Sequence, residues 1–478
     1  MDIKTKTISG LKWSAFSKLL AQLFTWASTL IVIRILTPEE YGLMALATIL
    51  ISFLTLLYEM GLGSAIVQAK KISKDDLKNI FGFVLLINLI LCLASIVLAY
   101  PIAGFFNEPQ LVIFIQVLSV KFILIAFSII PSSLLLREMN FKSKSLIDLI
   151  ATISGSIITL TLAIMNFGIW ALIAGNIGIS IVALCGLFFV KPYFSTPGFS
   201  LKRIKRHIYF GGIVTTERIL WFLYTQADNI IIGKILGKQT LGLYSVAMDL
   251  SSLPMQKLNA IINQVAFSAF AKIQEDKKQL THAMSNAIRY IGLLSFPIFS
   301  GLFITAEEFV PVVLGEKWLE VTLPIMVLSL IMPIRMISNI YPTFLRAIGK
   351  PGTSLTNLII SCSIMPISFY LAGINWGLQG VCIAWVSAYP LVFFIETYRT
   401  FKASQIPMSL LVRETYKPAF SSTMMVIIVH YEKQFITFPN AILNLSLEII
   451  LGATVFIMCL WIINKQLFQD TRQLIKGS

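Results

Sequence analysis

The chain has 478 residues, of which 56% are hydrophobic and 13% charged, with a mean hydropathy of +0.82. That composition excludes a soluble globule. Lys and Arg number 38 against 23 Asp and Glu, a formal net charge of +15; a nucleic-acid partner could account for it, but the placement of the charges along the chain excludes one.

Apolar runs of about 20 residues, each enough to cross a hydrocarbon core, follow one another almost without pause. They predict an all-α polytopic membrane protein with about fourteen transmembrane helices. In chain order the predicted spans are 11–36, 41–67, 77–104, 111–135, 145–166, 169–190, 207–236, 240–270, 281–305, 321–346, 354–373, 376–398, 417–431 and 441–464. The first carries Lys12 and Lys18 within its apolar run and has no small-residue cleavage site, so it reads as an uncleaved helix. Loops after even-numbered spans, with the two termini, hold most of the basic residues, among them Lys70, Lys71, Arg137, Lys205 and Lys277. The opposite loops hold only Lys234, Lys238, Lys317 and Lys433, and several carry acids. This positive-inside bias predicts cytoplasmic termini. It assigns the excess charge to topology and to contact with anionic membrane lipids, not to nucleic acid.

A repeat organises the chain. Shifted by 200, Leu20–Ala47 returns as Leu220–Ala247, with Thr25 on Thr225, Ala27 on Ala227, Gly42 on Gly242 and Lys18 on Arg218. An even number of spans per copy returns the chain to the cytoplasm, so the second copy enters the membrane in the same sense as the first. The expected relation is a parallel repeat about an axis along the membrane normal, with a cavity between two six-helix lobes. The predicted division is 1–205 for the first lobe, 206–400 for the second and 401–478 for two appended helices, with the Pro-, Gly- and Lys-containing linker 191–206 at the boundary. Prolines interrupt second-lobe spans (Pro254, Pro297, Pro324, Pro333, Pro342, Pro366, Pro390), where they serve as hinges or as static kinks.

Enzyme chemistry is not indicated. No loop is long enough to form a soluble domain. Five cysteines lie in apolar runs without ligand spacing and three histidines are scattered, so neither a disulfide framework, a metal nor another cofactor is expected. Gly237-Lys238-Gln239 lacks the leading glycine and the hydroxyl of a phosphate-binding loop.

Ser14, Lys18, Gln22, Thr25 and Thr29 recur at steps of three and four on the first span, and the repeat carries Arg218, Thr225 and Asn229, beside Glu217, Tyr224 and Asp228. A polar stripe in a membrane faces either another helix or a water-filled cavity. For the serines and threonines both alternatives stand; Lys18, Arg218 and Asp228 are assigned to the cavity, where the two cations would face each other across it. Lys121 in the fourth span and Lys257 in the eighth, near Asn263, are intramembrane groups wanting an acidic partner or an anionic substrate. Asp148 and Arg289 sit near helix ends and are expected to snorkel, and Arg34 and Lys234 to contact headgroups. The predicted substrate-binding set is thus Lys18, Gln22, Thr25, Lys121, Arg218, Thr225, Lys257 and Asn263, with Glu59, Asp228 and Asp249 as candidate ion-coupling acids.

Gly61 to Gln68, Glu138 to Phe141, Leu253 to Asn263, Phe267 to Gln274 and Phe309 to Trp318 together resemble the polysaccharide-transport family of the multidrug/oligosaccharidyl-lipid/polysaccharide exporter superfamily, in particular its Wzx-type colanic acid, O-antigen and teichuronic acid flippases. The resemblance runs to about residue 400. It implies translocation of undecaprenyl-pyrophosphate-linked oligosaccharide across a bacterial cytoplasmic membrane, for surface polysaccharide synthesis, by alternating access of the lobes. It implies as partners lipid-linked oligosaccharide, membrane lipids and the polymerase and glycosyltransferase machinery. The lipid II flippases are similar in architecture and place cavity cations on the first helix, where Lys18 is the one loose counterpart. Two other classes are a cation-coupled small-molecule exporter, with Asp228 and Glu59 as ion sites, and a polytopic glycosyl polymerase or ligase, which would normally present a sizeable outer loop.

Overall fold

A computed structural model describes the backbone of residues 3–58, 63, 66, 67, 69, 72–199, 201–436 and 438–464, and their side chains except at 3–12, 14–16, 201–217, 256–265 and 268. Among the described residues fourteen α-helices are assigned ranges: α1 (Ile3–Ile35), α2 (Pro38–Thr55), α3 (Lys74–Phe106), α4 (Leu111–Arg137), α5 (Phe141–Ile164), α6 (Ile169–Val190), α7 (Leu201–Ile235), α8 (Gly237–Lys272), α9 (Lys277–Phe309), α10 (Thr322–Ser338), α11 (Tyr341–Ala347), α12 (Pro351–Ser404), α13 (Ser409–Phe435) and α14 (Ala441–Ile463). A π turn (Val310–Leu314) and a 3-10 turn (Glu316–Val321) join α9 to α10. Among the described residues, nine stretches are long and apolar enough to cross a membrane. The protein is an all-α polytopic membrane protein.

Local chemistry sets the helix starts. Thr37 caps α2 and Ser73 caps α3, each in a reciprocal box with the acid three residues on, Glu40 and Asp76. Asn140, Asp276 and Asn440 cap α5, α9 and α14. Asn107 closes α3 in the left-handed conformation, with φ 58°.

Several predicted spans are redrawn. In the 41–67 span α2 ends at Thr55, where Leu56 and Leu57 form tighter bonds back to Phe53 and Leu54, and Gly63, Ile66 and Val67 are helical again. The 321–346 span is two helices, α10 and α11, parted by a turn at Asn339–Ile340. The 54 residues of α12 would reach about 80 Å if straight, far beyond a hydrocarbon core of about 30 Å. Non-helical Trp376 and Gly377 break it into the two predicted crossings; Gly377 has φ 58° and ψ −141°, a conformation open to glycine and closed to side-chain-bearing residues. The prolines are not where the chain breaks: Pro254, Pro297, Pro333, Pro366 and Pro390 all sit inside assigned helices.

Two compact units emerge, Met1–Gly242 and Leu243–Ser478. This division falls after α7, whereas the sequence-based boundary falls before it. Helix α7 packs into the first unit: Phe222 is buried with its ring 5.6 Å from that of Phe53 on α2, and Lys234 Nζ donates to the Phe105 carbonyl of α3 at 2.6 Å. In that unit Ile80, Phe81, Phe83 and Val84 of α3 pack with Ala126, Ile129 and Ile130 of α4, and Val32 of α1 with Ala163 of α5 and Ala171 of α6. In the second unit Met425 of α13 packs with Val455, Phe456 and Leu460 of α14.

The repeat leaves a direct geometric mark inside the first unit. A methyl group added to Gly42 would lie 1.8 Å from the Lys238 carbonyl oxygen, and one added to Gly242 would lie 1.7 Å from the Pro38 carbonyl oxygen. Residues 238 and 242 are the repeat partners of 38 and 42. The contact is therefore reciprocal, as across a two-fold axis: the opening turns of α2 and α8 touch backbone to backbone at equivalent points.

Candidate translocation site

In the first unit, Lys18 on α1 and Arg218 on α7 both have exposed side chains. Neither forms an ion pair with another described residue. Gln22, Thr25 and Thr225 are half-buried. Both threonine hydroxyls donate within their own helices, Thr25 to the Ala21 carbonyl at 2.8 Å and Thr225 to the Phe222 carbonyl at 3.1 Å. What they offer a ligand is an acceptor lone pair, not a proton.

Asp228 is buried at 5% exposure, and its Oδ1 accepts the Asn229 backbone N–H at 2.8 Å. Asn229 Nδ2 in turn donates to Gln226 Oε1 at 2.9 Å, so this corner of α7 is a connected polar cluster. Lys121 lies ten residues into α4, about 15 Å along the helix. Its half-buried Nζ donates to Asn176 Oδ1 on α6 at 2.5 Å. The partner is a neutral amide, which orients the ammonium without cancelling its charge. Asn176 was not singled out by sequence, because an isolated Asn in an apolar run has no spacing signal of its own.

In the second unit Asp249 on α8 is exposed. The side chains of Lys257 and Asn263 lie outside the described residues, as does Glu59. A group that sequence reasoning did not promote is Arg335 on α10. Its guanidinium lies 4.3 Å from the centre of the Trp385 ring and Nη1 is 3.5 Å from Met248 Sδ. Trp385 Nε1 donates to the Tyr244 hydroxyl at 2.8 Å, which fixes the ring under the cation. Its signal, a charge near the end of an apolar run, was present in the sequence, but the aromatic partner comes from a helix about fifty residues on.

Three charges at helix ends have protein partners. Arg289 does not snorkel: its Nε pairs with Glu414 Oε2 at 2.7 Å, and Glu414 also accepts from Ser285 Oγ at 2.7 Å and Arg413 Nε at 2.9 Å. Asp148 pairs with Lys144 one turn away at 2.5 Å. Lys234 holds the Phe105 carbonyl and sits 5.0 Å over the Phe105 ring. A buried carboxylate between two guanidiniums is a fixed structural element, and it separates Arg289 from the cations without acidic partners.

Residues 31–323 match the family described as polysaccharide biosynthesis protein, which is more than half of the chain. The chain belongs to that family. Among similar polysaccharide biosynthesis proteins, the lipopolysaccharide biosynthesis protein WzxC of Escherichia coli K12 is 29% identical over 77% of this chain and 73% of its own length. The succinoglycan biosynthesis transport protein ExoT of Rhizobium meliloti is 25% identical over 98% of this chain and 95% of its own. A solved structure described as the lipid II flippase MurJ in an inward closed conformation superposes with a TM-score of 0.78 over 95% of this chain and 99% of that one, at 16% identity. That last likeness establishes a shared fold. The family match covers α2 to α9, and so includes Lys121, Arg218, Asp228 and the crossing of Gly42 with Gly242.

Proposed function

We propose that the protein is a flippase, not an enzyme, that moves undecaprenyl-pyrophosphate-linked oligosaccharide from the inner to the outer leaflet of a bacterial cytoplasmic membrane for surface polysaccharide synthesis. The observation that carries the reading is the near-full-length likeness to a protein named a succinoglycan biosynthesis transport protein. Site chemistry supports it. A pyrophosphate carries close to two negative charges, and moving it through a low-dielectric layer requires cations and donors that are not already neutralised. Lys18, Lys121 and Arg218 meet that requirement: none has a carboxylate partner among the described residues. Gln22, Thr25, Thr225, Lys257 and Asn263 are proposed as further substrate contacts, and Glu59, Asp228 and Asp249 as ion-coupling acids.

The moving parts follow the repeat: lobes 1–205 and 206–400 alternate access about a parallel axis, 401–478 is appended, and both termini are cytoplasmic. The polymerase and glycosyltransferase machinery supplies and consumes the cargo. Reconstitution into proteoliposomes loaded with lipid-linked oligosaccharide tests the reading. Exposure of the sugar to an impermeant lectin or glycosidase on the far face is expected, and it should be lost in Lys121→Met. A protein that exports small cations down an ion gradient, and leaves the oligosaccharide in place, would overturn it.

A further inference from the structure

At one end of the second unit, the first turns of α9 and the start of α13 enclose a cavity of about 380 Å³ lined by Lys277, Lys278, Thr281, His282, Ser285 and Arg413. All six lining residues are polar, three carry permanent positive charge, and none is acidic. Two of the acids nearby are already engaged. Asp276 caps α9, accepting from the backbone N–H groups of Lys278 and Gln279 at 2.9 and 3.0 Å. Glu414 lies beneath the cavity, 5% exposed, holding Ser285, Arg289 and Arg413. Its grip on Arg413 Nε fixes that guanidinium, whose Nη2 comes within 3.5 Å of Ser285 Oγ. Lys277 Nζ is anchored to Gln405 Oε1 at 2.5 Å. Three cations held around an open volume repel one another, and an anion between them relieves the repulsion. Two ammonium groups and a guanidinium suit a phosphate, while Thr281 and Ser285 direct their protons to the Lys277 carbonyl and to Glu414.

The flanks of the cavity decide which phosphate. Helices α9 and α13 pack against each other. Beyond the cavity, the exposed side chains on them turn apolar and aromatic: Tyr290 and Leu294 on α9, Val412 and Tyr416 on α13. Tyr290 is eight residues past His282, about 12 Å deeper along the helix. A soluble phosphate has no use for that surface, whereas acyl chains below a phosphate do. We infer that this cavity binds the phosphate headgroup of an anionic phospholipid, its chains lying along the exposed face of α9 and α13. Basic pockets between helices on the cytoplasmic side recognise such headgroups by this chemistry, and the charge bias of the sequence puts the 272–280 loop on that side. This site is separate from the proposed substrate contacts and does not depend on the flippase reading.

The test uses the full-length protein in a neutral detergent, with unfolding followed by tryptophan fluorescence. Added phosphatidylglycerol should raise the melting temperature by several degrees and phosphatidylcholine should not. The double variant Lys277→Gln with Lys278→Gln leaves the Glu414 cluster untouched and should weaken apparent phosphatidylglycerol affinity roughly thirtyfold. Lys74→Gln, an exposed lysine of the first unit, should change nothing. An undiminished lipid response in the double variant would overturn the inference, and so would an equal response to inorganic phosphate alone, which would make free phosphate the occupant. Should the double variant unfold, native mass spectrometry of the unaltered protein in mixed lipid decides: preferential retention of phosphatidylglycerol supports the site, and equal retention overturns it. No transport is read, so failure here and failure of the flippase reading are distinguishable.

Discussion

Gly42→Ala tests the repeat where it is most exacting. The added methyl carbon would stand 1.8 Å from the Lys238 carbonyl oxygen. A carbon needs about 3.3 Å from such an oxygen, so the opening turns of α2 and α8 must separate by about 1.5 Å. Gly242→Ala asks for nearly the same displacement from the other side, since its methyl would stand 1.7 Å from the Pro38 carbonyl oxygen. The atoms met are backbone, which cannot rotate away. Overpacking of this kind costs about 1–3 kcal/mol. Because one separation relieves both clashes, the double substitution should cost little more than either single one, with a coupling on the order of 1–2 kcal/mol in a double-mutant cycle. Under alternating access the same strain acts on the conformational equilibrium, and about 2 kcal/mol against the touching state shifts it roughly thirtyfold. The assay is twofold: melting temperature of the single and double variants, and labelling by an impermeant thiol reagent of a cysteine at exposed Gln239, which should rise in Gly42→Ala. Fully additive losses, or unchanged labelling with unchanged melting, would refute a shared reciprocal contact.

Lys121→Met should reduce oligosaccharide export about ten- to a hundredfold, the worth of a charge-assisted contact, with normal accumulation in the membrane, while Lys121→Arg keeps part of it; export in a complemented deletion strain is the readout. Glu414→Gln should lower thermal stability by about 1–3 kcal/mol, less than a fully buried pair because Arg289 and Arg413 are 36% and 66% exposed. Burial raises the Glu414 carboxyl, but hydrogen bonds from Arg289, Ser285 and Arg413 outweigh it and hold the group below its ordinary value. A depressed folded value contributes stability above the unfolded value of about 4.3 that is lost as pH falls through the folded one. The melting temperature should therefore drop below about pH 4 in the unaltered protein and respond less in Glu414→Gln. For topology, cysteines at Lys74 and Glu316 should label from opposite faces; labelling from one face would overturn the assigned orientation.

The fold was legible because a membrane constrains it. Apolar runs of one length must be helices that satisfy their own backbone, so span number and helix type follow from hydropathy alone. The places where the reading slipped are places where local chemistry overrides hydropathy. The apolar second span is interrupted after Thr55, where Leu56 and Leu57 turn out of α2. Of the seven prolines read as hinges or static kinks, five sit inside helices and Pro342 opens α11 after the turn at Asn339–Ile340, while the chain also breaks at Gly377 and around Gly315, where φ is positive. The 205/206 boundary, the proposed lobe division, rests on linker composition, whereas the division into compact units follows packing and puts α7 with the first. Composition does not report which neighbours a following helix will bury Phe222, Ala227 and Ile232 against.

Charges were legible as a set and not as individuals. Periodicity places a lysine on a face, but what neutralises it comes from another helix at a sequence distance no pattern encodes. Arg289 finds Glu414, 125 residues away; Lys121 finds Asn176, 55 away; Arg335 finds the ring of Trp385. These three solutions are not equivalent in a low-dielectric layer. A carboxylate completes the charge and closes the site. An amide or an aromatic face orients the cation while leaving its field unspent. A transported anion can lower its desolvation penalty only against cations of the second kind. Sorting intramembrane cations by the formal charge of their partner therefore gives a physical criterion for choosing substrate-site candidates, and by it Arg335 joins Lys121 as one to test.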